Sequence, residues 1–221
     1  MNYDILIVSP HMDDAVLSLG EHIIGWKSEG KKILVVTVFT KFIEKNIPDY
    51  SRNYMEKSGF YDVIDFENAR KEEDINAMWS MGVDYKHWNF VDAGFRGIYK
   101  TREKLLSGKI KDKDLINKIR MKILEIETDK IYLPYGVGGN VDHLIVKEAG
   151  KIFKNISYFM ESPYLWQKLN FVRFLLKIKN IKKPSIKKEK ILKEYKSQFE
   201  LLKQNVWWPL SEIVVKNDKN I

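Results

Sequence analysis

Two short stretches of this chain set histidine beside aspartate in a way that can hold a metal ion. One is Ser9-Pro10-His11-Met12-Asp13-Asp14, and the other is Gly138-Gly139-Asn140-Val141-Asp142-His143. Together they use half of the 4 histidines. Two imidazoles and one or two carboxylates converging from neighbouring loops form a nitrogen and oxygen ligand set with room for water, the open arrangement of catalytic zinc. The chain has no cysteine, so any metal must rest on His, Asp and Glu. Taken singly, each stretch has a plainer reading. Asp13 or Asp14 is a negative charge at a helix start, worth up to about 1 kcal/mol. Gly138-Gly139 is a turn, and His143 a satisfied helix residue. What favours the metal is that both stretches follow strands. The other histidines, His22 inside a helix and His87 mid-strand beside Trp88, read as structural.

The elements that must position these residues follow from apolar patterning. Asp4 to Ser9 and Lys32 to Phe39 are short runs rich in β-branched residues, as expected of strands buried on both faces. Between them Val16, Leu17, Gly20, Ile23 and Ile24 recur at helical spacing, and Glu29-Gly30 supplies a stop. The same reasoning predicts helices over Asn68 to Met81, Leu115 to Ile126 and Asp142 to Phe153, with strands over Tyr85 to Phe90, Lys130 to Tyr135 and Ile156 to Met160. The alternation predicts an α/β fold: a Rossmann-like, mostly parallel sheet with helices on both faces. A helical C-terminal extension is expected, with Glu189 to Lys203 as one helix, and Trp207-Trp208-Pro209 and Glu212 to Val215 returning to the sheet. One domain over residues 1–221 accommodates all of this, as a core of 1–165 and an extension of 166–221. Open α/β sheets collect ligands at the carboxyl ends of their strands, where both His/Asp stretches fall.

Composition narrows the setting. The absence of cysteine suits a reducing cytoplasm, and no apolar run approaches the ~18 residues that span a bilayer, so neither a signal peptide nor stable membrane insertion is expected. The formal charge of +8 attracts anions in general. Its densest cluster, Lys177 to Lys190, reads as a solvated linker and helix face, with peripheral contact to anionic lipid or phosphate as the second reading. Neither a recognition-helix motif nor an aromatic RNA-binding motif underlies the charge, so no nucleic-acid partner is expected.

The residues resemble a known family. Pro10-His11-Met12-Asp13-Asp14 is similar to the (P/A)-H-P-D-D-(E/A) signature of the PIG-L/LmbE zinc-dependent deacetylases, and Gly139-Asn140-Val141-Asp142-His143 to their second motif, G-H-x-D-H. Arg70-x-x-Glu73, with Ala77 and Gly82-Val83, resembles the family's intervening helix, and Tyr195-Lys196-Ser197-Gln198 its Tyr-x-Ser-Gln segment. The resemblance implies that His11, Asp14 and His143 are ligands of zinc, or of another divalent metal such as Fe2+, and that Asp13 is the general base. It gives Arg70 a substrate contact and places Asn140 and Asp142 in the catalytic set. Two departures stand out: Met12 replaces the motif's proline, and Asn140 replaces a histidine implied to support the oxyanion or deliver a proton. Asn can donate a neutral hydrogen bond but cannot act as an acid.

The implied reaction is hydrolysis of an N-acetyl group on a GlcNAc-like sugar or glycoconjugate, with metal-activated water as nucleophile. Arg96-Gly97-Ile98-Tyr99 and Tyr164-Leu165-Trp166 follow strands on the same side, so Arg96 is expected to bind substrate at the pocket rim. Two other functions use the same residues. One is a carbohydrate- or anion-binding protein that keeps the fold without turnover. The other is a non-haem iron oxygenase, because His11-x-Asp13 with His143 also spells a two-His-one-carboxylate triad. The alternating β-α pattern counts against the latter.

Overall fold

The computed structural model describes residues 2–167, 182–205 and 211–216. A six-stranded sheet in the order β3-β2-β1-β4-β5-β6 forms its centre. The strands are β1 (Tyr3–Ser9), β2 (Ile33–Lys41), β3 (Asp84–Val91), β4 (Thr128–Pro134), β5 (Ile156–Phe159) and β6 (Val214–Lys216). Strands β1 to β5 pair in parallel, and β6 adds an antiparallel edge against β5. This is the expected α/β architecture, with Val214 and Val215 returning to the sheet as foreseen. Trp207-Trp208-Pro209 lies outside the described residues.

Alternation along the strands supplies both faces of the core. Ile5 and Ile7 of β1 and Ile33 and Val35 of β2 pack on one face against α1 (Asp14–Ser28) and α3 (Val63–Met81). Leu6, Val8, Leu34 and Val36 point the other way, onto Ile119 and Ile123 of α5 (Asp114–Leu124), which follows the short α4 (Arg102–Leu105), and onto Ile145 and Val146 of α6 (Val141–Gly150). Each such side chain contributes about 1.5–3 kcal/mol on burial, which makes the sheet a stiff frame for the loops at its ends. The strand order reverses direction at β1, whose neighbours are β2 and β4. The crevice beyond the carboxyl ends of β1 and β4 is therefore the topological switch point, the usual ligand position in such sheets. The first His/Asp stretch follows β1 and the second follows β4.

Some boundaries differ from expectation for identifiable reasons. Helix α3 begins at Val63 rather than Asn68, because the Asp62 carboxylate caps it by accepting from the backbone N–H groups of Ile64 and Asp65. Helix α2 (Asp49–Lys57) escaped sequence reading because its only buried residues are Ser51 and Met55, too few to show a period. The helix expected over Glu189 to Lys203 is two, Ile186–Leu192 and Lys196–Asn205. The chain breaks where the Tyr195 hydroxyl donates to Asp74 Oδ1 at 2.8 Å and Ser197 donates through N and Oγ to Glu73, each at 2.7 Å.

The solvated reading of Lys177 to Lys190 is corrected at Lys188, which is buried; residues 177–181 of that run lie outside the described residues. The Lys188 ammonium donates to the Leu17 carbonyl at 2.8 Å and to Glu212 Oε1 at 2.6 Å, while Glu212 Oε2 faces His22 Nδ1 at 2.6 Å. The lysine stem fits because Gly20 has no side chain: a Cβ there would lie 3.1 Å from Lys188 Cγ. These contacts fasten the C-terminal segment to α1, the helix that opens with Asp14. Among the described residues, no helix is long and apolar enough to cross a membrane.

Candidate active site

His11, Asp14 and His143 meet at the switch point. His11 Nδ1 lies 3.2 Å from Asp14 Oδ2, His143 Nε2 lies 3.2 Å from the same oxygen, and the two nitrogens are 3.2 Å apart. Three donors on a tetrahedron with bonds of ~2.0–2.1 Å are separated by about 3.3 Å, so this triangle matches three corners of a zinc site without rearrangement. The donor set of two imidazoles and one carboxylate suits that metal as well. The carboxylate in the triangle belongs to Asp14 and not Asp13, so the H-x-D triad of an iron oxygenase is not what the fold assembles.

Each imidazole is aimed by a carboxylate behind it. His11 Nε2 faces Asp142 Oδ2 at 3.1 Å, and His143 Nδ1 faces Glu161 Oε1 at 3.0 Å. A carboxylate accepts a proton bond from one ring nitrogen and so leaves the other nitrogen's lone pair for the metal. Glu161 is itself held by the backbone N–H groups of Gly136 and Val137. The sequence reading missed Glu161, and missed Asp92, whose Oδ2 lies 3.4 Å from His11 Nε2. Asp92 directly follows β3 and Glu161 lies two residues beyond β5, so the strand-end rule that picked out His11 and His143 points to them too.

Electrostatics favours a cation here. Burial pushes His143 down, but Asp14 and Glu161 overcome it and raise its pKa to about 9. His11 is likewise raised well above its ordinary value, against its burial, by Asp14 and Asp142. Asp14 is buried too, yet His143 and His11 hold it far below the usual carboxylate range. A pocket that draws protons this strongly onto imidazoles also draws a divalent ion, and the two compete.

Asp13 stands beside the triangle. Its backbone adopts φ 129°, a left-handed conformation costing on the order of 1–3 kcal/mol for a non-glycine residue, so the turn from β1 into α1 is strained at this position. The strain separates the two adjacent carboxylates: Asp14 faces the imidazoles, while Asp13 Oδ2 lies 3.2 Å from Arg70 Nη2. Burial pushes Asp13 up to about 6, with Arg70 pulling the other way. Arg70 also donates to the Met12 carbonyl, yet its Nε and Nη1 are buried without a hydrogen-bond partner.

These groups open onto a cavity of about 530 Å³, lined by His11, Asp13, Asp14, Arg70 and Asn140 together with aromatic and aliphatic side chains such as Tyr54, Phe95 and Leu105. Tyr164, expected at the rim, lines it, and its ring packs edge-on against His143 at 5.6 Å. That ring fills the place a side chain at Gly138 would take, since a Cβ there would lie 2.4 Å from Tyr164 Cγ. Asn140 caps α6, its Oδ1 accepting from the Asp142 N–H at 3.0 Å, and its Nδ2 lies 3.5 Å from the Tyr164 hydroxyl. Two expected site residues are not on the cavity wall. Asp142 is fully buried behind His11, and Arg96 is buried against Asp142 and Asp112. His22 and His87 are tied to Glu212 and Asp74, away from the triangle.

Fold and site together define an α/β protein whose switch point gathers three side chains that could hold a metal ion beside an open pocket. The chain belongs to the GlcNAc-PI de-N-acetylase (PIG-L) family, whose profile matches residues 6–153, about two-thirds of its 221 residues. No curated protein matches the chain at a significant level. Several solved structures do. The A40926 pseudoaglycone deacetylase Dbv21 superposes with a TM-score of 0.70 at 21% identity, over 92% of this chain and 85% of that one. The zinc-inhibited form of teicoplanin deacetylase Orf2 gives 0.68 at 21% identity, over 91% and 86%. The N,N'-diacetylchitobiose deacetylase of Pyrococcus horikoshii gives 0.53 at 15% identity, over 95% and 82%. At these identities the likeness establishes the fold, and the family assignment rests on the profile.

Proposed function

We propose that this chain is a zinc-dependent N-deacetylase that hydrolyses the acetamide of a GlcNAc-like amino sugar or glycoconjugate. The observation that carries the reading is the triangle of His11, Asp14 and His143 with the unligated carboxylate of Asp13 beside it, open to a cavity of sugar-like size. Zinc bound at the triangle supplies a positive charge that acidifies water and polarises an amide carbonyl. Asp13 takes the proton of the attacking water and returns it to the departing amine, a role suited to a carboxylate raised to about 6. Arg70 lines the cavity beside Asp13 and contacts a substrate oxygen there, and Asn140, also on the cavity wall, serves as a neutral donor. Asp142 and Glu161 hold the imidazoles in the tautomers that ligation needs. The names of the structural relatives, deacetylases of the A40926 pseudoaglycone, of teicoplanin and of N,N'-diacetylchitobiose, support an N-acetyl amide as the bond broken.

The test is acetate release from a panel of N-acetylated sugars by zinc-loaded protein, with Asp13→Asn as comparison. Turnover by the parent, falling by ~10²-fold or more in Asp13→Asn with zinc still bound, is the expected result. Full zinc occupancy with no acetate from any substrate counts against the proposal. A binding-only role has one observation in its favour, the neutral Asn140 where the family motif carries histidine. Saturable sugar binding without turnover would establish it instead.

A further inference from the structure

Arg96 turns inward from the loop that follows β3. Its side chain is 8% exposed and touches three acceptors: Nη2 lies 2.6 Å from Asp142 Oδ1, Nη1 donates to the Val91 carbonyl at 2.5 Å, and Nε lies 2.6 Å from Asp112 Oδ2. The last is an ion pair without the alignment of a hydrogen bond. The guanidinium carbon sits 5.1 Å from the ring centre of Phe39, and that ring also packs at 6.1 Å from the ring of His11. Behind Arg96, the Tyr99 hydroxyl donates to Asp112 Oδ1 at 2.7 Å. Ahead of it, the second oxygen of Asp142 accepts from the Ala93 N–H at 2.9 Å and faces His11 Nε2 at 3.1 Å. The contacts run without a gap from Asp112 through Arg96 and Asp142 to His11.

We infer that Arg96 is a positioning residue for the metal centre: it fixes the Asp142 carboxylate against His11 Nε2, so that His11 presents Nδ1 beside Asp14 and His143. The inference rests on the reading of that triangle as a metal site. Its physical basis is that Asp142 has no solvent contact, and its Oδ1 meets Arg96. A buried carboxylate deprived of its cation loses the charge that compensates its burial and the contact that sets its plane. An imidazole whose outer acceptor is free to turn holds its metal less firmly. Lysine cannot substitute fully, because a single ammonium cannot reach Asp142, Asp112 and Val91 together while lying against an aromatic ring. Arg96, Tyr99 and Asp112 share one connection between β3 and α5, and Leu105 on that connection lines the cavity, so a wall of the pocket is fastened to a metal ligand.

The experiment measures metal binding by the full chain with no substrate present. Zinc affinity is read by competition with a chromophoric chelator, and ligand geometry by the visible absorption of the cobalt(II)-substituted protein. Arg96→Met is expected to weaken zinc binding by ~10–100-fold and to alter the cobalt spectrum, with Arg96→Lys recovering only part of both. Asp112→Asn keeps Arg96 but removes one anchor; it is expected to weaken zinc binding severalfold, and it serves if Arg96→Met does not fold. Parent-like affinity and cobalt spectrum in a folded variant of either kind would overturn the inference while leaving the metal site standing. A parent protein that binds neither zinc nor cobalt would overturn the site itself, and this inference with it.

Discussion

The four histidines divide into two pairs that the fold treats differently. His22 and His87 each meet a carboxylate through one ring nitrogen, Glu212 at 2.6 Å and Asp74 at 2.8 Å. His11 and His143 each have a carboxylate behind one nitrogen, and their remaining nitrogens point at each other and at the shared Asp14 oxygen. The first arrangement satisfies a polar ring inside a structure. The second aims two ring nitrogens and a carboxylate at one point, where protons or a metal ion compete for the same three atoms. The distinction is therefore geometric, and it separates the two candidate ligands from the two structural histidines even though all four are at least half buried.

The largest effect that breaks the comparison is removal of one member of each pair. His143→Ala is expected to abolish stoichiometric zinc binding and turnover together, measured by metal analysis after dialysis and by acetate release. His22→Ala should retain zinc while lowering the unfolding midpoint. If His22→Ala loses the metal and His143→Ala keeps it, the two pairs have been assigned the wrong way round.

The structural pair is sharpened by its carboxylate. Glu212 is buried, yet His22 and Lys188 hold its pKa below its ordinary value of 4.5. A folded-state value below the unfolded one means the ionised group contributes stability above about pH 4.5, lost as pH falls toward the lower folded value. Glu212→Gln removes the buried carboxylate that His22 and Lys188 share, at a cost of about 3–5 kcal/mol at neutral pH. The variant should also lose the part of the acid-induced destabilisation due to this group, so the difference between parent and variant narrows as pH drops below 4.5. Urea unfolding at a series of pH values checks both statements.

On the ligand side, Glu161→Gln keeps the shape behind His143 but weakens the acceptor. Zinc affinity should fall by ~10–100-fold, the usual scale for a lost outer partner, and the metal-free protein should unfold at a lower midpoint as well, because the buried Glu161 carboxylate also accepts from the Gly136 and Val137 N–H groups. An unchanged affinity would mean that the His143 tautomer is set without Glu161.

How much of this was legible in the sequence follows from what each residue's neighbours reveal. The strands β1 and β2 and helix α1 showed plainly, because aliphatic runs and helical spacing are local signals. The His/Asp stretches were legible because two such loops after two strands must face the same edge of a parallel sheet. Glu161 and Lys188 were not, since nothing local distinguishes a carboxylate bound to an imidazole 18 residues away, or a lysine buried over a glycine, from surface charges. Helix α3 was half hidden for a related reason. Its inner face carries Arg70, Glu73 and Asp74, all buried, so hydrophobic periodicity understated it. Arg96 was expected at the pocket rim, but its partners Asp112 and Asp142, distant in sequence, turn it inward and off the cavity wall.

The smallest expected effect concerns Asn140, the residue at which this chain departs from its family's second motif. The structure commits its Oδ1 to capping α6 and leaves Nδ2 near the Tyr164 hydroxyl, so it offers the pocket one neutral donor and no titrating group. Asn140→His would exchange the cap, worth about 1 kcal/mol, for an imidazole at the cavity wall. If the position once assisted proton transfer, an imidazolium beside the developing oxyanion should raise kcat by up to ~10-fold, a gain of ~1.4 kcal/mol in transition-state stabilisation. The pH–rate profile of zinc-loaded Asn140→His should then show one more ionisation than the parent, in the histidine range. The cost of the lost cap appears separately, as a lower unfolding midpoint, so stability and rate should move in opposite directions. Should the variant turn over more slowly and add no ionisation, Asn140 is serving this chain's substrate through Nδ2, and the idea of a lost proton donor has to be given up.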